Sequence, residues 1–239
     1  MSGAQKTIVA LDNMGKTQTY EFLESLPAEI PWIKIGLEQY LAHGKPLIRD
    51  IYEKYDKRIF LDLKLHDIPN TVAKALGSLS NLPVELITLH LSGGEQMLKA
   101  AQVVRNEKMD HAQLLGVSYL TSLDHHDLQQ MWAIQDTKAA FTRLFNLALK
   151  TGTQGVVCSA HELETVKECE WKSGKSLIKV CPGIRFKDEI KEGNTTDQKR
   201  VLDPESAFQL GANYLVMGRS LTQARDLSTR VTELQKIEI

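Results

Sequence analysis

The sequence predicts a (β/α)8 barrel. Eight short apolar, β-branched runs alternate with helical stretches, at a spacing of roughly 25–30 residues, which suits one strand–helix unit. No GxGxxG follows the first run, which weighs against the rival topology, an open doubly wound sheet. No linker-like or low-complexity stretch interrupts the pattern, so residues 1–239 read as one barrel domain.

The units follow in order. "TIVALD" (7–12) is the first strand, with "TYEFLESL" as its helix. "WIKIG" (32–36) is the second, and Gly44 and Pro46 should split the helix after it. "RIFLDLKLHD" (58–67) leads into "PNTVAKALGSLSNL", where Pro69 suits a first helical turn. "ELITLHL" (85–91) precedes "GGEQMLKAAQVVRNE". "QLLGVSYL" (113–120) is followed by a polar helix start at His125 and His126, whose imidazoles read as solvated. Next comes "FTRLFNLALKTG", with Phe141, Leu144, Phe145 and Ala148 as a core stripe and Gly152 as the C-terminal cap. "GVVCSA" (155–160) precedes "HELETVKECEW", and "LIKVCPGI" (177–184) precedes "PESAFQLG". "NYLVMG" (213–218) is the eighth strand, and "LTQARDLSTRVTELQKI" closes the chain as a helix. The longest irregular segment spans 185–204. Such a loop in a compact domain is usually functional, here an active-site lid.

A formal charge of −1, with 25% charged residues, gives no reason to expect nucleic acid or an anionic membrane as partner. No apolar stretch approaches the ~18 residues of a transmembrane helix. Cys158, Cys169 and Cys181 form no CxxC pair and no metal-ligand spacing. Their odd count, and a start that lacks a long apolar segment, point to reduced thiols and a cytoplasmic location. Cys158 and Cys181 fall within strands and read as small core residues.

The third strand carries the chemistry. In "FLDLKLHDIPNTV" (60–72), alternation puts Leu61, Leu63 and Leu65 on one face, beneath the helices. Asp62 and Lys64 share the other face and point into the barrel, near the strand end where barrel enzymes place their active sites. The plainer reading is an internal salt bridge. As mere packing such a pair is costly, because a buried ion pair often fails to recover its desolvation penalty.

These residues resemble a family. "DLKLHDIPNT" is similar to the DxKxxDIPNT signature of orotidine 5′-phosphate decarboxylase. "ALD" ending at Asp12 resembles its first-strand aspartate, and Lys34 in "IKIG" its second-strand lysine. Thr121 in "YLTS" resembles its pyrimidine contact. "CPGIR" (181–185), "DQKR" (197–200) and "MGRSLT" (217–222) are similar to its phosphate-end motifs. The matches keep the family's order and span nearly the whole chain. The DxKxxD core alone is shared with sugar-phosphate relatives of the same superfamily. The segment from Arg185 to Gln198 runs a few residues longer than in many bacterial members.

The resemblance implies conversion of orotidine 5′-monophosphate to UMP and CO2 by a cytoplasmic homodimer with shared active sites. It implies a catalytic set of Lys64, Asp62, Asp67 and Lys34. Asp12 would hold the ribose hydroxyls and Thr121 the pyrimidine. Pro182, Arg185, Gln198, Gly218 and Arg219 would serve the phosphate end. Asp67, Ile68 and Thr71 would contact substrate, with Asp67 and Thr71 reaching into the neighbouring subunit's site. The sequence holds no motif for pyridoxal phosphate or thiamine pyrophosphate and no zinc-like spacing, so no cofactor and no metal are expected.

The chemistry fits these residue types. Decarboxylation leaves an electron pair at C6 of the pyrimidine, which Lys64 can stabilise as an ammonium and then protonate. Desolvation favours the neutral amine. Two unit charges about 4 Å apart attract by roughly 4 kcal/mol at an effective dielectric of ~20, so Asp62 and Asp67 would keep Lys64 charged and oriented. Barrels often bind phosphate with the loops after strands seven and eight, and Arg219 offers a bidentate donor there. Taken singly, Asp12 and Lys34 could be solvated rim charges and Thr121 a helix cap. His66 is assigned no role. A metal-dependent sugar-phosphate relative and a non-catalytic phosphate sensor are the alternatives. The "IPNT" extension weighs against the first, and the intact Asp62–Lys64–Asp67 set against the second.

Overall fold

The computed structural model describes residues 1–191 and 201–239. Its eight strands are β1 (Thr7–Ala10), β2 (Trp32–Gly36), β3 (Arg58–Leu65), β4 (Val84–His90), β5 (Gln113–Val117), β6 (Gly155–Val157), β7 (Ile178–Cys181) and β8 (Tyr214–Met217). All neighbours pair in parallel, and β8 returns to β1, which closes the barrel in sequence order. The (β/α)8 expectation holds.

Alternation along each strand sorts two apolar layers. Ile8, Ala10, Trp32, Phe60, Leu86, Leu115, Val180 and Val216 fill the barrel as one buried cluster. The intervening residues, among them Val9, Ile33, Leu61, Ile87, Val156 and Leu215, face outward into a larger cluster with the helices. Each Leu, Ile or Val so buried contributes roughly 1.5–3 kcal/mol. At the barrel's base, Arg58 stacks on the Trp32 ring, and Trp32 meets Tyr214 edge-on.

The helices are α1 (Lys16–Ser25), α2 (Leu37–Tyr55), α3 (Pro69–Leu79), α4 (Gly94–Lys108), α5 (His125–Trp132), α6 (Thr137–Thr151), α7 (Leu163–Ser173), α8 (Lys187–Lys191), α9 (Pro204–Gln209), α10 (Arg219–Thr222) and α11 (Leu227–Gln235). Their ends follow side-chain chemistry. The α2 segment breaks at Gly44, whose φ of 63° is non-helical, ahead of Pro46. Pro69 opens α3, and Gly152 closes α6 with φ 74°. The Asp136 carboxylate accepts the Ala139 amide at the start of α6, a cap worth ~1 kcal/mol.

Two expectations need correction. The closing pattern is not one helix, because Asp226 caps α11 by accepting the Thr229 amide at 3.0 Å, and the chain between Thr222 and Asp226 is not helical. The 185–204 segment is not irregular at its start: α8 follows Phe186, and Ile184 bridges Leu202. Residues 192–200 of the expected lid, including Gln198, lie outside the described residues.

Candidate active site

Three strands carry a polar residue two places after an apolar inward one: Trp32 then Lys34, Phe60 then Asp62, Leu86 then Thr88. Period-two geometry therefore stacks Lys34, Asp62 and Thr88 as a polar layer on the apolar floor. All three are buried. The Lys34 ammonium donates to both Asp12 oxygens, at 3.0 and 2.9 Å, and lies 3.6 Å from Asp62 Oδ2. The same Asp62 oxygen accepts from Lys64 Nζ at 2.7 Å, and Asp62 Oδ1 accepts from the Thr88 hydroxyl at 2.8 Å. The result is a row of alternating charge, Asp12–Lys34–Asp62–Lys64. Gly36 makes room for it: a methyl there would sit 2.6 Å from Asp12 Oδ1 and 2.9 Å from Lys34 Nζ.

Lys64 reaches this row by an irregular route. β3 and β4 pair at Leu61↔Ile87 and next at Leu65↔Leu89, so β3 carries two extra residues over the same span. Within that bulge Lys64 adopts φ 50°, a left-handed conformation rare outside glycine, at a cost of roughly 1–2 kcal/mol. The Lys64 amide donates to the Thr88 hydroxyl at 2.8 Å. Strain of this kind persists only where surrounding contacts hold it, and it gathers at functional sites.

A cavity of about 330 Å3 opens above the polar layer. It brings together the expected Asp12, Lys34, Asp62, Lys64, Thr121, Pro182, Arg185, Gly218 and Arg219. Gly183, with φ 75°, lets the chain turn tightly after β7. Asn13, Leu120 and Ser122 also line the mouth, beside expected residues, and Phe60, Val157 and Val216 form the apolar floor. Asp67, Ile68 and Thr71 do not line this cavity. Asp67 turns back to accept the Ile68 amide at 2.6 Å rather than pairing with Lys64, and all three side chains are exposed, Ile68 by 66%. Thr88 is the residue that sequence reasoning missed. Its only signal was a hydroxyl at an inward position in the apolar run "ELITLHL".

The family model for "Orotidine 5'-phosphate decarboxylase / HUMPS family" matches residues 5–234. The chain belongs to that family. Among curated relatives, orotidine 5′-phosphate decarboxylase of Thermosynechococcus vestitus is 41% identical over 232 residues, covering 97% of this chain and 94% of the relative. The enzyme of that name from Wolbachia pipientis is 39% identical over 218 residues, covering 91% of each chain. A crystal structure of orotidine 5′-phosphate decarboxylase from Lactobacillus acidophilus superposes with a TM-score of 0.80 at 29% identity. It covers 96% of this chain and 97% of that one.

In this member of the orotidine 5′-phosphate decarboxylase / HUMPS family, burial and neighbouring charge together set the ionisation of Asp62 and His90. Burial pushes the Asp62 carboxyl up, but Lys34, Lys64 and the hydrogen bonds from Lys64 and Thr88 outweigh burial and hold it below the usual range. His90, at the end of β4, stacks near His66 with ring centroids 5.1 Å apart. Burial, then the charges of His66 and Lys64, lower its pKa to about 4, so it is neutral at pH 7 and adds no third cation beside Lys34 and Lys64. Among the described residues, Asp124, His126 and Asp127 could present three metal-ligand atoms within 4.8 Å of one another. The two carboxylates already cap the start of α5, and none of the three lines the cavity. No described helix is long and apolar enough to cross a membrane.

Proposed function

We propose that this chain converts orotidine 5′-monophosphate to UMP and CO2, the last step of pyrimidine nucleotide synthesis, without a cofactor or metal. Residues 1–239 act as one barrel domain, in the cytoplasm. The observation that carries the reading is the Lys64–Asp62 contact of 2.7 Å at the mouth of a closed barrel, in a chain of this family.

The C6–carboxylate bond breaks with its electron pair left on C6, and CO2 departs. The Lys64 ammonium stabilises that pair by charge and then transfers a proton to it, which forms the C6–H bond and leaves a neutral amine for solvent to reprotonate. Asp62 is held rigidly beside it, with Oδ1 fixed by Thr88 and Oδ2 shared by the two lysines. A substrate carboxylate placed beside Asp62 loses repulsion as CO2 leaves. Asp12 receives the ribose hydroxyls, Lys34 keeps the row neutral, and Thr121 hydrogen-bonds the pyrimidine. Arg219, Arg185, Pro182 and Gly218 hold the phosphate, with Gln198 from the segment before Val201.

Asp67, Ile68 and Thr71 act in the site of a second copy, so the functional unit is a homodimer. Their exposure in a motif that otherwise contributes to the cavity supports this assignment. The test follows loss of orotate absorbance when orotidine monophosphate is added to wild-type enzyme, with and without EDTA. Turnover that survives EDTA is expected. No turnover overturns the activity, and turnover abolished by EDTA and restored by a divalent cation points to metal-dependent chemistry.

A further inference from the structure

Thr88 is fully buried in the middle of β4 and does not line the cavity. Its one oxygen joins two parts of the row. A backbone amide can only donate and an ionised carboxylate can only accept. The direction of both bonds is therefore fixed: the hydroxyl accepts the Lys64 amide at 2.8 Å and donates its proton to Asp62 Oδ1 at 2.8 Å.

The bulge explains why a side chain is needed there. In a regular parallel ladder, strand amides donate to neighbouring carbonyls. Where β3 carries two extra residues between Leu61 and Leu65, the Lys64 amide meets the Thr88 hydroxyl instead. The same hydroxyl fixes one Asp62 oxygen and leaves the other facing both ammoniums. We infer that Thr88 is a positioning residue for the reaction: it holds the left-handed Lys64 backbone and the Asp62 carboxylate in one register, and so aims the Lys64 ammonium, without touching substrate. The inference rests on the proposed decarboxylase activity.

The competing account is a buried threonine that merely satisfies its hydroxyl and adds stability. Thr88→Val keeps the shape but leaves the Lys64 amide and Asp62 Oδ1 without this partner, whereas Thr88→Ser keeps the hydroxyl. The decisive measurement is kcat and KM for orotidine monophosphate in wild type and both variants, with a thermal melt of each. The expected result is a kcat loss of roughly 30-fold or more in Thr88→Val, since misaligned catalytic groups cost far more than lost packing. KM should stay within about threefold, and Thr88→Ser should recover kcat to within about fivefold. Should Thr88→Val fail to fold, Thr88→Ala introduces no bulk and carries the same expectation. A folded Thr88→Val or Thr88→Ala enzyme with wild-type kcat overturns the inference while leaving the decarboxylase reading intact. So does a serine variant as slow as the valine one. A wild-type chain that releases no CO2 overturns the activity, and the inference falls with it.

Discussion

The two sides of the barrel mouth are built differently. Towards β2, β3 and β4 the polar groups stand on strands, Lys34, Asp62 and Thr88 buried and Lys64 half-buried, with each charge within 4 Å of its partner. Towards β7 and β8 they stand beyond the strand ends, with Arg185 in the turn after β7 and Arg219 as the first residue of α10. Lys34 is held by ladders on both sides, and Lys64 by the Thr88 hydroxyl that accepts its amide within the bulge, so these positions suit groups that must meet a reacting atom within fractions of an ångström. Turns suit groups that grip a charged end and can move as they do so. In the proposed reaction, the reacting end would meet groups on or beside the strands, and the anchoring end groups that follow them.

The sharpest way to break this comparison is at Lys64. Lys64→Ala should lower kcat by roughly 1,000-fold or more, while nucleotide binding and the melting temperature change little. Turnover within tenfold of wild type would remove the proton-donor role. Next comes the contribution of Asp67. Asp67→Ala alone should be nearly inactive, yet mixing it with inactive Lys64→Ala should recover part of the activity, because one site in each hybrid dimer would be complete. Hybrids that form and remain inactive would confine Asp67 to its own subunit.

A smaller effect is expected at the other side of the mouth. The phosphate does not react, so its binding energy helps catalysis only through closure and orientation. Arg219→Ala should cost about 3 kcal/mol in kcat/KM for the nucleotide, roughly a hundredfold. It should barely alter the slower reaction of the phosphate-free nucleoside. Equal fractional losses on both substrates would show that Arg219 supports the fold, not the phosphate.

The smallest effect concerns His90. In the folded chain it resists protonation until about pH 4, whereas an unfolded histidine takes up its proton near ~6.5. Between those values the unfolded state binds more protons, so His90 contributes stability above pH 6.5 that is lost as the pH falls towards 4. His90→Asn should therefore show a shallower fall in melting temperature over that window. An unchanged slope would mean that other groups set the acid limb.

Much of this architecture is legible in the sequence because it rests on alternation. Lys34 and Asp62 follow from counting twos along apolar runs, and the eight units follow from the recurrence of those runs. Strand ends are less legible. "QLLGVSYL" and "GVVCSA" continue as apolar chain beyond Val117 and Val157, since Tyr119 and Cys158 still pack against the core after pairing has ended. The β3 bulge has no local mark, because a lysine rather than a glycine takes the positive φ, and tertiary contacts impose it. Thr88 was hidden for a different reason. A β-branched residue in a strand reads as ordinary sheet filler, and its meaning emerges only when β3 is laid beside it.

The extra residues in β3 come as a pair, and that number has a consequence for how the chain tolerates insertions and deletions. Because side chains change face at every step, an even insertion leaves Leu65 on the outer side with Leu61. Deleting Leu63 alone would turn Leu65 into the mouth and Lys64 into the helix layer, and the barrel should fail to fold. Deleting Leu63 and Lys64 together would let β3 and β4 pair flush, with the outer leucines still covered, and should give a folded barrel that lacks the proposed proton donor. Expression and circular dichroism of the two deletions would separate these outcomes. The lysine thus sits on a removable two-residue module, which a barrel strand can gain or lose as a unit while its outer packing stays in phase.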